Sequence, residues 1–262
     1  MLSLVVAVHE FGHFAAMRLV GVEVTELSIG FGPEIASARD AHGTRYSLRS
    51  LPLGGFTKPV SDDSPGSIKL ADSWSLALID AGGMLSSVIL AFFLFWYCFT
   101  KVSAAPQGIA AHVERLPAPL RLPAAAFIAS FGMWFYLPWY LLRGLLTRPT
   151  ALLGQIAGPI GMLAPGNRPD AENTPFGSPD DLRGDTPFVA LNRLIALMAV
   201  GLAGFNLLPL FPLDGGQLAA LVAEHIGPKV LTAYIYGSIG AFALLILVIM
   251  VSDIRFAFRR RR

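Results

Sequence analysis

The stretch Leu2-Ser-Leu-Val-Val-Ala-Val-His9-Glu10-Phe-Gly-His13-Phe-Ala-Ala-Met17 is an apolar run broken by three ionisable residues, and both fold and chemistry follow from it. The two histidines are four positions apart, just over one helical turn, so both imidazoles lie on one face with a carboxylate beside them. Rings so placed can bind one Zn²⁺, leaving Glu10 as the base that takes a proton from water, whose pKa the ion lowers to about 7. The bland alternative is that His and Glu are chance polar residues of a core helix. An ionisable group inside a spanning segment costs on the order of 3 kcal/mol, however, and three of them at this spacing point to a metal site.

The rest of the composition agrees with a membrane setting. Of 262 residues, 54% are hydrophobic and 15% charged, and the mean hydropathy is +0.58, well above that of a water-soluble domain. The 18 Phe, 4 Trp and 6 Tyr exclude disorder. A lone cysteine, Cys98, excludes a disulfide scaffold and a cysteine-based zinc finger, so a metal must be held by His and carboxylates. A net charge of +2 gives no footing for nucleic acid, and the basic tail Arg259 to Arg262 suits lipid headgroups.

Spanning helices need about 20 apolar residues. Candidate runs are Leu2 to about Met17, Ser75 to Thr100, Leu122 to Leu142, Leu194 to Leu213 and Val230 to Ser252, the last four charge-free except for Asp80. Only eight residues precede His9, about 12 Å of helix, so further apolar residues are expected upstream of Met1. A cleaved signal peptide is disfavoured, since the run has no basic start and no small-residue cleavage site.

Period-two patterns follow the first run, in Val22-Glu-Val-Thr-Glu-Leu-Ser-Ile29 and Thr44-Arg-Tyr-Ser-Leu-Arg-Ser-Leu51. With Asp40-Ala-His-Gly43 as turn they predict a β-hairpin, closed by a bend at Pro52-Leu-Gly-Gly55. We divide a single domain, 1–262, into a first helix (1–19), a hairpin region (22–58), a second helix (75–100), a third (122–142), a polar loop (165–187), a helix leading to an Asp-Gly motif (190–213) and a last helix (230–252).

A catalytic zinc takes three protein ligands. Asp214, in Asn206-Leu-Leu-Pro-Leu-Phe-Pro-Leu-Asp214-Gly-Gly216, is the best third candidate, because it follows a long apolar run where Gly215 and Gly216 break the helix. The competing reading is a plain helix-end Asp at the water interface. His42, His112 and His225 fall in loops or near helix ends and read as surface residues.

These motifs resemble the site-2 proteases, intramembrane zinc metalloproteases, and in particular the bacterial branch that cleaves membrane-bound anti-sigma factors. The resemblance rests on HEFGH at 9–13, Glu26-Leu-Ser-Ile-Gly-Phe-Gly-Pro33, Pro52-Leu-Gly-Gly-Phe56 with Lys58, Gly158-Pro-Ile-Gly161, Asn206 through Gly216 and Ser252-Asp-Ile254. It implies that His9, His13 and Asp214 hold zinc, that Glu10 is the general base, and that Asn206 holds the substrate backbone. It also implies that the hairpin, Val22 to Leu51, presents an edge strand to an unwound substrate. The family's Gly-Pro-x-x-Asn reads Gly82-Gly83-Met84-Leu85-Ser86 here, the prolines before Asp214 fall at Pro209 and Pro212, and residues 101–121 leave no room for a PDZ module between the second and third helices.

The expected fold is thus a polytopic α-helical membrane protein, with about four spanning helices, an interfacial or re-entrant helix and a membrane-associated β-hairpin. For Asp214 to reach the histidines, an even number of crossings must separate the second run from the fourth. Either Leu122 to Leu142, with Trp134, Tyr136, Trp139 and Tyr140, lies along the interface, the arrangement we favour, or Ala151 to Ala164 crosses back with it. Basic residues leave the orientation open. Arg18, Arg39, Arg45, Arg49, Lys58, Lys69 and Lys229 share the active-site side, and the more numerous others would place the zinc nearer the outer face, whereas the resemblance places it nearer the cytoplasm.

The expected function is a zinc endopeptidase of the bacterial inner membrane acting on single-pass membrane proteins, with the lipid bilayer as its surroundings and no nucleic-acid partner. The oligomeric state stays open. The alternatives are a catalytically silent relative that binds membrane partners and, more weakly, a metal transporter, whose polar residues would be spread along several helices rather than gathered at one depth.

Overall fold

The computed structural model describes residues 1–61, 63–64, 66–102, 107–132, 134–136, 139, 143 and 186–259. The polar loop expected at 165–187 therefore lies almost wholly outside the described residues, as do Gly158-Pro-Ile-Gly161 and much of 122–142. The elements run α1 (Leu2–Leu19), β1 (Val24–Arg39), β2 (Arg45–Pro59), a 3-10 turn (Ile68–Leu70), α2 (Ser73–Val102), α3 (Gln107–Val113), α4 (Ala118–Phe127) continuing as a π turn (Ile128–Gly132), α5 (Pro187–Asn206), α6 (Asp214–Ile226) and α7 (Pro228–Arg259).

Among the described residues, four stretches are helical, long and apolar enough to cross a membrane: Ser73–Lys101, Ala118–Tyr136, Pro187–Asn206 and Pro228–Val251. With the small antiparallel sheet, this is the pattern of a polytopic membrane protein. α1, with 18 residues, is not among them; at 1.5 Å per residue it is about 27 Å long, just under a hydrocarbon layer of ~30 Å. Local chemistry sets the ends. Asp72 Oδ1 accepts from Ser75 N at 2.8 Å at the start of α2, and Thr186 caps α5 by accepting from Val189 N, with Pro187 in the first turn, where its missing N–H costs nothing.

α5 stops at Asn206 rather than continuing to Leu213 as expected. Pro209 and Pro212 have no N–H to give to a helical ladder, and each disfavours helical geometry in the residue before it. The chain instead makes tight turns, with Leu208 N donating to Phe205 O and Leu213 N to Leu210 O, before α6 opens at Asp214.

The strands run beyond the period-two stretches, within nearly the expected 22–58 region. β2 runs through Pro52-Leu-Gly-Gly55 without a terminating bend, and Gly54, at φ 88°, takes up the irregularity in a conformation open to glycine. Residues 24–29 of β1 pair antiparallel with 55–59, from Val24↔Pro59 to Ile29↔Gly55, and residues 34–39 pair likewise with 45–49. The same Glu26–Ile29 stretch also lies beside Arg45–Leu48, from Glu26↔Arg45 to Ile29↔Leu48, its numbers rising with its partner's. The two long strands thus fold over each other, so that 24–29 and 45–48 are paired on both sides while 34–39 and 55–59 lie outermost.

Packing favours small residues. Ala91, Ala125, Ala126, Ala196 and Ala199 are fully buried where α2, α4 and α5 meet, alongside Phe95 and Phe99. Without a water-driven force between helices, small side chains that let backbones approach are what holds such a bundle together. Ala16, Met17, Val22, Val24 and Ile79 form a second cluster that seats the hairpin on α1 and the start of α2.

Charges lock the hairpin. Burial pushes the Glu26 carboxyl up, but hydrogen bonds from Ser47 and Arg49 outweigh this and hold it below the usual glutamate value. Burial likewise pushes Asp40 up, and the Thr44 and His42 N–H groups, the Tyr46 hydroxyl and Arg18 bring it lower than an ordinary aspartate. A depressed carboxyl stabilises the fold above its unfolded value and loses that contribution as pH falls through its folded value. Protection of β1 and β2 amides from hydrogen exchange, relative to intrinsic rates at each pH, is therefore expected to fall below about pH 4, ahead of α2, and Glu26→Gln to remove part of that acid sensitivity.

Candidate metal centre

α1 and α2 touch where neither has a side chain. A Cβ at Gly82 would lie 2.6 Å from the Gly12 carbonyl oxygen and 2.9 Å from Ala16 Cβ, and a Cβ at Gly12 would fall on the Gly82 carbonyl. A Cβ at Gly83 would fall on the His13 ring. The Gly82-Gly83 pair thus makes room for α1 to press its histidine face against α2, which supplies the groups that orient both rings.

Each outer ring nitrogen is committed. His13 Nδ1 lies 2.7 Å from the Ile79 carbonyl, which can only accept, so the proton sits on Nδ1. His9 Nδ1 lies 3.2 Å from Ser87 Oγ, and that hydroxyl spends its own proton on Gly83 O at 3.0 Å, so it accepts from His9. Both Nε2 atoms are left with lone pairs, and they face each other at 3.2 Å.

Asp214 opens α6 and closes the set. Its Oδ2 lies 3.2 Å from His9 Nε2 and 3.4 Å from His13 Nε2. That oxygen is buried with no hydrogen-bond donor among the described residues. Three acceptor atoms thus converge in a place where His9 is 5% and Asp214 8% exposed. Lone pairs this close repel unless a cation lies among them, and two imidazoles with one carboxylate are a donor set suited to zinc. Among the described residues this is the one cluster of three such groups within metal-binding reach.

Glu10 lies beside the cluster, on α1, and its Oε2 is 3.0 Å from the Thr57 hydroxyl, which lies as close to the Glu10 carbonyl oxygen. Thr57 belongs to the 55–59 strand, so the part of the hairpin nearest Glu10 lies downstream of the Val22 to Leu51 stretch expected to meet substrate. Asn206, at the end of α5, directs its side-chain N–H to His9 Nε2 at 3.1 Å. His42, His112 and His225 are exposed, as expected, and Lys58 points to solvent. Asp80 is buried on α2 but is not part of the three-ligand cluster.

The orienting residues Ser87 and Thr57 were not legible in the sequence, and Gly83 stood out there only as a departure from the family's Gly-Pro-x-x-Asn. Ser87 is one of several small residues on an apolar helix, and only its position relative to His9 distinguishes it. Outer partners of metal-bound histidines typically carry 10–100-fold in affinity. Ser87→Ala is expected to weaken metal binding by about that factor, and Gly83→Val to abolish it by displacing His13; both are read by metal titration of the purified protein in detergent.

Comparison with known proteins agrees with the architecture. The profile of peptidase family M50 matches residues 1–250. A Synechocystis protein is 39% identical over 102 residues, 36% of this chain and 27% of its own length. A Xylella fastidiosa protein is 29% identical over 173 residues, 61% of this chain and 38% of its own. A Mesorhizobium japonicum protein is 51% identical over 61 residues, 23% of this chain and 17% of its own. Each bears the name “Putative zinc metalloprotease”, and the chain spans well under half the length of any of the three. With a matched profile over nearly its whole length, the chain belongs to peptidase family M50, the membrane-embedded site-2 protease type of metalloprotease.

Proposed function

We propose that this chain is a zinc endopeptidase of the bacterial cell membrane that cuts single-pass membrane proteins in or near their spanning segments, as in the regulated proteolysis of an anti-sigma factor. The observation that carries the reading is the convergence of His9 Nε2, His13 Nε2 and Asp214 Oδ2, with the last otherwise unpartnered. These three residues would hold Zn²⁺, which when bound supplies Lewis acidity toward water and the scissile carbonyl.

The chain's own residues do the rest. Glu10 takes the proton of the attacking water at a carboxylate oxygen and returns it to the departing amine. Thr57, hydrogen-bonded to Glu10 Oε2, holds that carboxylate beside the ligands. Asn206, whose side-chain N–H lies 3.1 Å from His9 Nε2, would offer that N–H to the carbonyl of a bound peptide.

A peptide bond within a helix is already hydrogen-bonded and shielded, so cleavage in a bilayer demands local unwinding. The freed N–H and C=O groups need partners in surroundings that offer no water. Residues 55–59 pair with 24–29 on one side and with no strand on the other among the described residues, and they run past Glu10. Pairing with that edge would extend the substrate across the site. In this reading α1, α2, α5 and α7 span, the 122–142 run lies along the interface, and the site opens nearer the cytoplasmic face.

Glu10→Gln is expected to retain stoichiometric zinc and lose cleavage of a model transmembrane substrate in detergent, by about 10²-fold or more. His9→Ala, His13→Ala and Asp214→Ala are expected to lose the metal, and chelator to silence the wild type. An active Glu10→Gln protein with full zinc would refute the role given to that carboxylate.

A further inference from the structure

The loop that delivers Asp214 is held from outside the site by a tyrosine of the last helix. Tyr234, on α7, places its hydroxyl 2.9 Å from the Gly216 carbonyl oxygen and 3.1 Å from that of Pro209. Both are acceptors, so the single phenolic proton is shared between them. Gly216 lies in the first turn of α6, two residues after Asp214. Pro209 lies in the segment between Asn206 and Asp214. One hydroxyl therefore ties the turn to the helix start whose first residue is Asp214.

α7 also packs along α6. α7 exposes most of its length, including Tyr236, Ile239, Leu244, Leu247 and Met250, and it meets α5 through the Phe205 and Phe242 rings at 6.5 Å. Inside the loop the fit is tight. A Cβ at Gly215 would lie 2.7 Å from the Asn206 carbonyl oxygen, and one at Gly216 would fall on the Leu210 carbonyl. A loop packed so closely transmits a shift of its tip to Asp214, and a carboxylate ligand is sensitive to such shifts because coordination distances tolerate only about 0.2 Å.

We propose that Tyr234 is a positioning residue for the third metal ligand, which makes the last helix part of the metal centre. The proposal rests on the ligand set His9, His13 and Asp214 put forward above. The test compares Zn²⁺ affinity, the visible spectrum of the Co²⁺-loaded protein and the thermal midpoint of the full chain in detergent for Tyr234→Phe, Asp214→Ala and the exposed control Tyr236→Phe. Tyr234→Phe is expected to weaken Zn²⁺ binding about tenfold or more and to shift the Co²⁺ bands, with a thermal midpoint of the metal-free protein like that of wild type. Tyr236→Phe is expected to change none of these.

Replacing Tyr234 by 4-aminophenylalanine, which keeps a hydrogen-bond donor at that place, is expected to restore affinity and spectrum. Wild-type affinity and spectrum in Tyr234→Phe, alongside metal loss in Asp214→Ala, would overturn the role of Tyr234 alone. So would a failure of the amino analogue to restore binding in a folded protein. Wild-type metal binding in Asp214→Ala would instead bring down the ligand set itself.

Discussion

Three lone pairs brought together in a nearly dry place repel one another, and the fold around them is organised to keep them there. In water each would be satisfied by a hydrogen bond at little cost. Buried, an unpaired carboxylate oxygen costs several kcal/mol unless a positive charge accompanies it. Asp214 Oδ2 faces His9 and His13 in that condition. The same low dielectric that makes the arrangement expensive without a cation would favour binding one.

Orientation comes from the neighbours of the ligands more than from the ligands. α2 has no member in the ligand set, yet it fixes both rings, through the Ile79 carbonyl for His13 and the Ser87 hydroxyl for His9. It comes close enough only because Gly12, Gly82 and Gly83 leave no side chains in the way. The difference between the two anchors has a consequence. His13 leans on a backbone group that no substitution removes, whereas His9 leans on a side chain.

In the proposed function the hairpin would join chemistry to substrate. Thr57 ties Glu10 to the 55–59 strand, so the residue assigned as base and the edge offered to an unwound peptide move as one unit. Salt links such as Arg49 to Glu26 and Arg18 to Asp40 stiffen the folded-over strands. Their modest individual worth matters less than the register they impose, since a slip of one residue would turn Thr57 away from Glu10.

The sequence by itself determined the apolar helices, the presence of a hairpin and the chemistry of the first helix. Those properties are local: hydropathy over twenty residues, alternation over eight, and a four-residue spacing that any α-helix converts into one face. It also offered Asp214, because the histidine pair needs a third ligand and a carboxylate at the end of a long apolar run is a candidate for it. The tertiary structure decided what depends on distance between segments remote in sequence. It ended α5 at Asn206 and folded the turns that follow, it carried β2 on to Pro59 and so brought Thr57 to Glu10, and it set Ser87 under His9 and Tyr234 over the Asp214 loop. None of those residues carries a pattern of its own. A hydroxyl becomes an anchor only when a partner arrives from elsewhere in the chain, and that arrival is settled by packing.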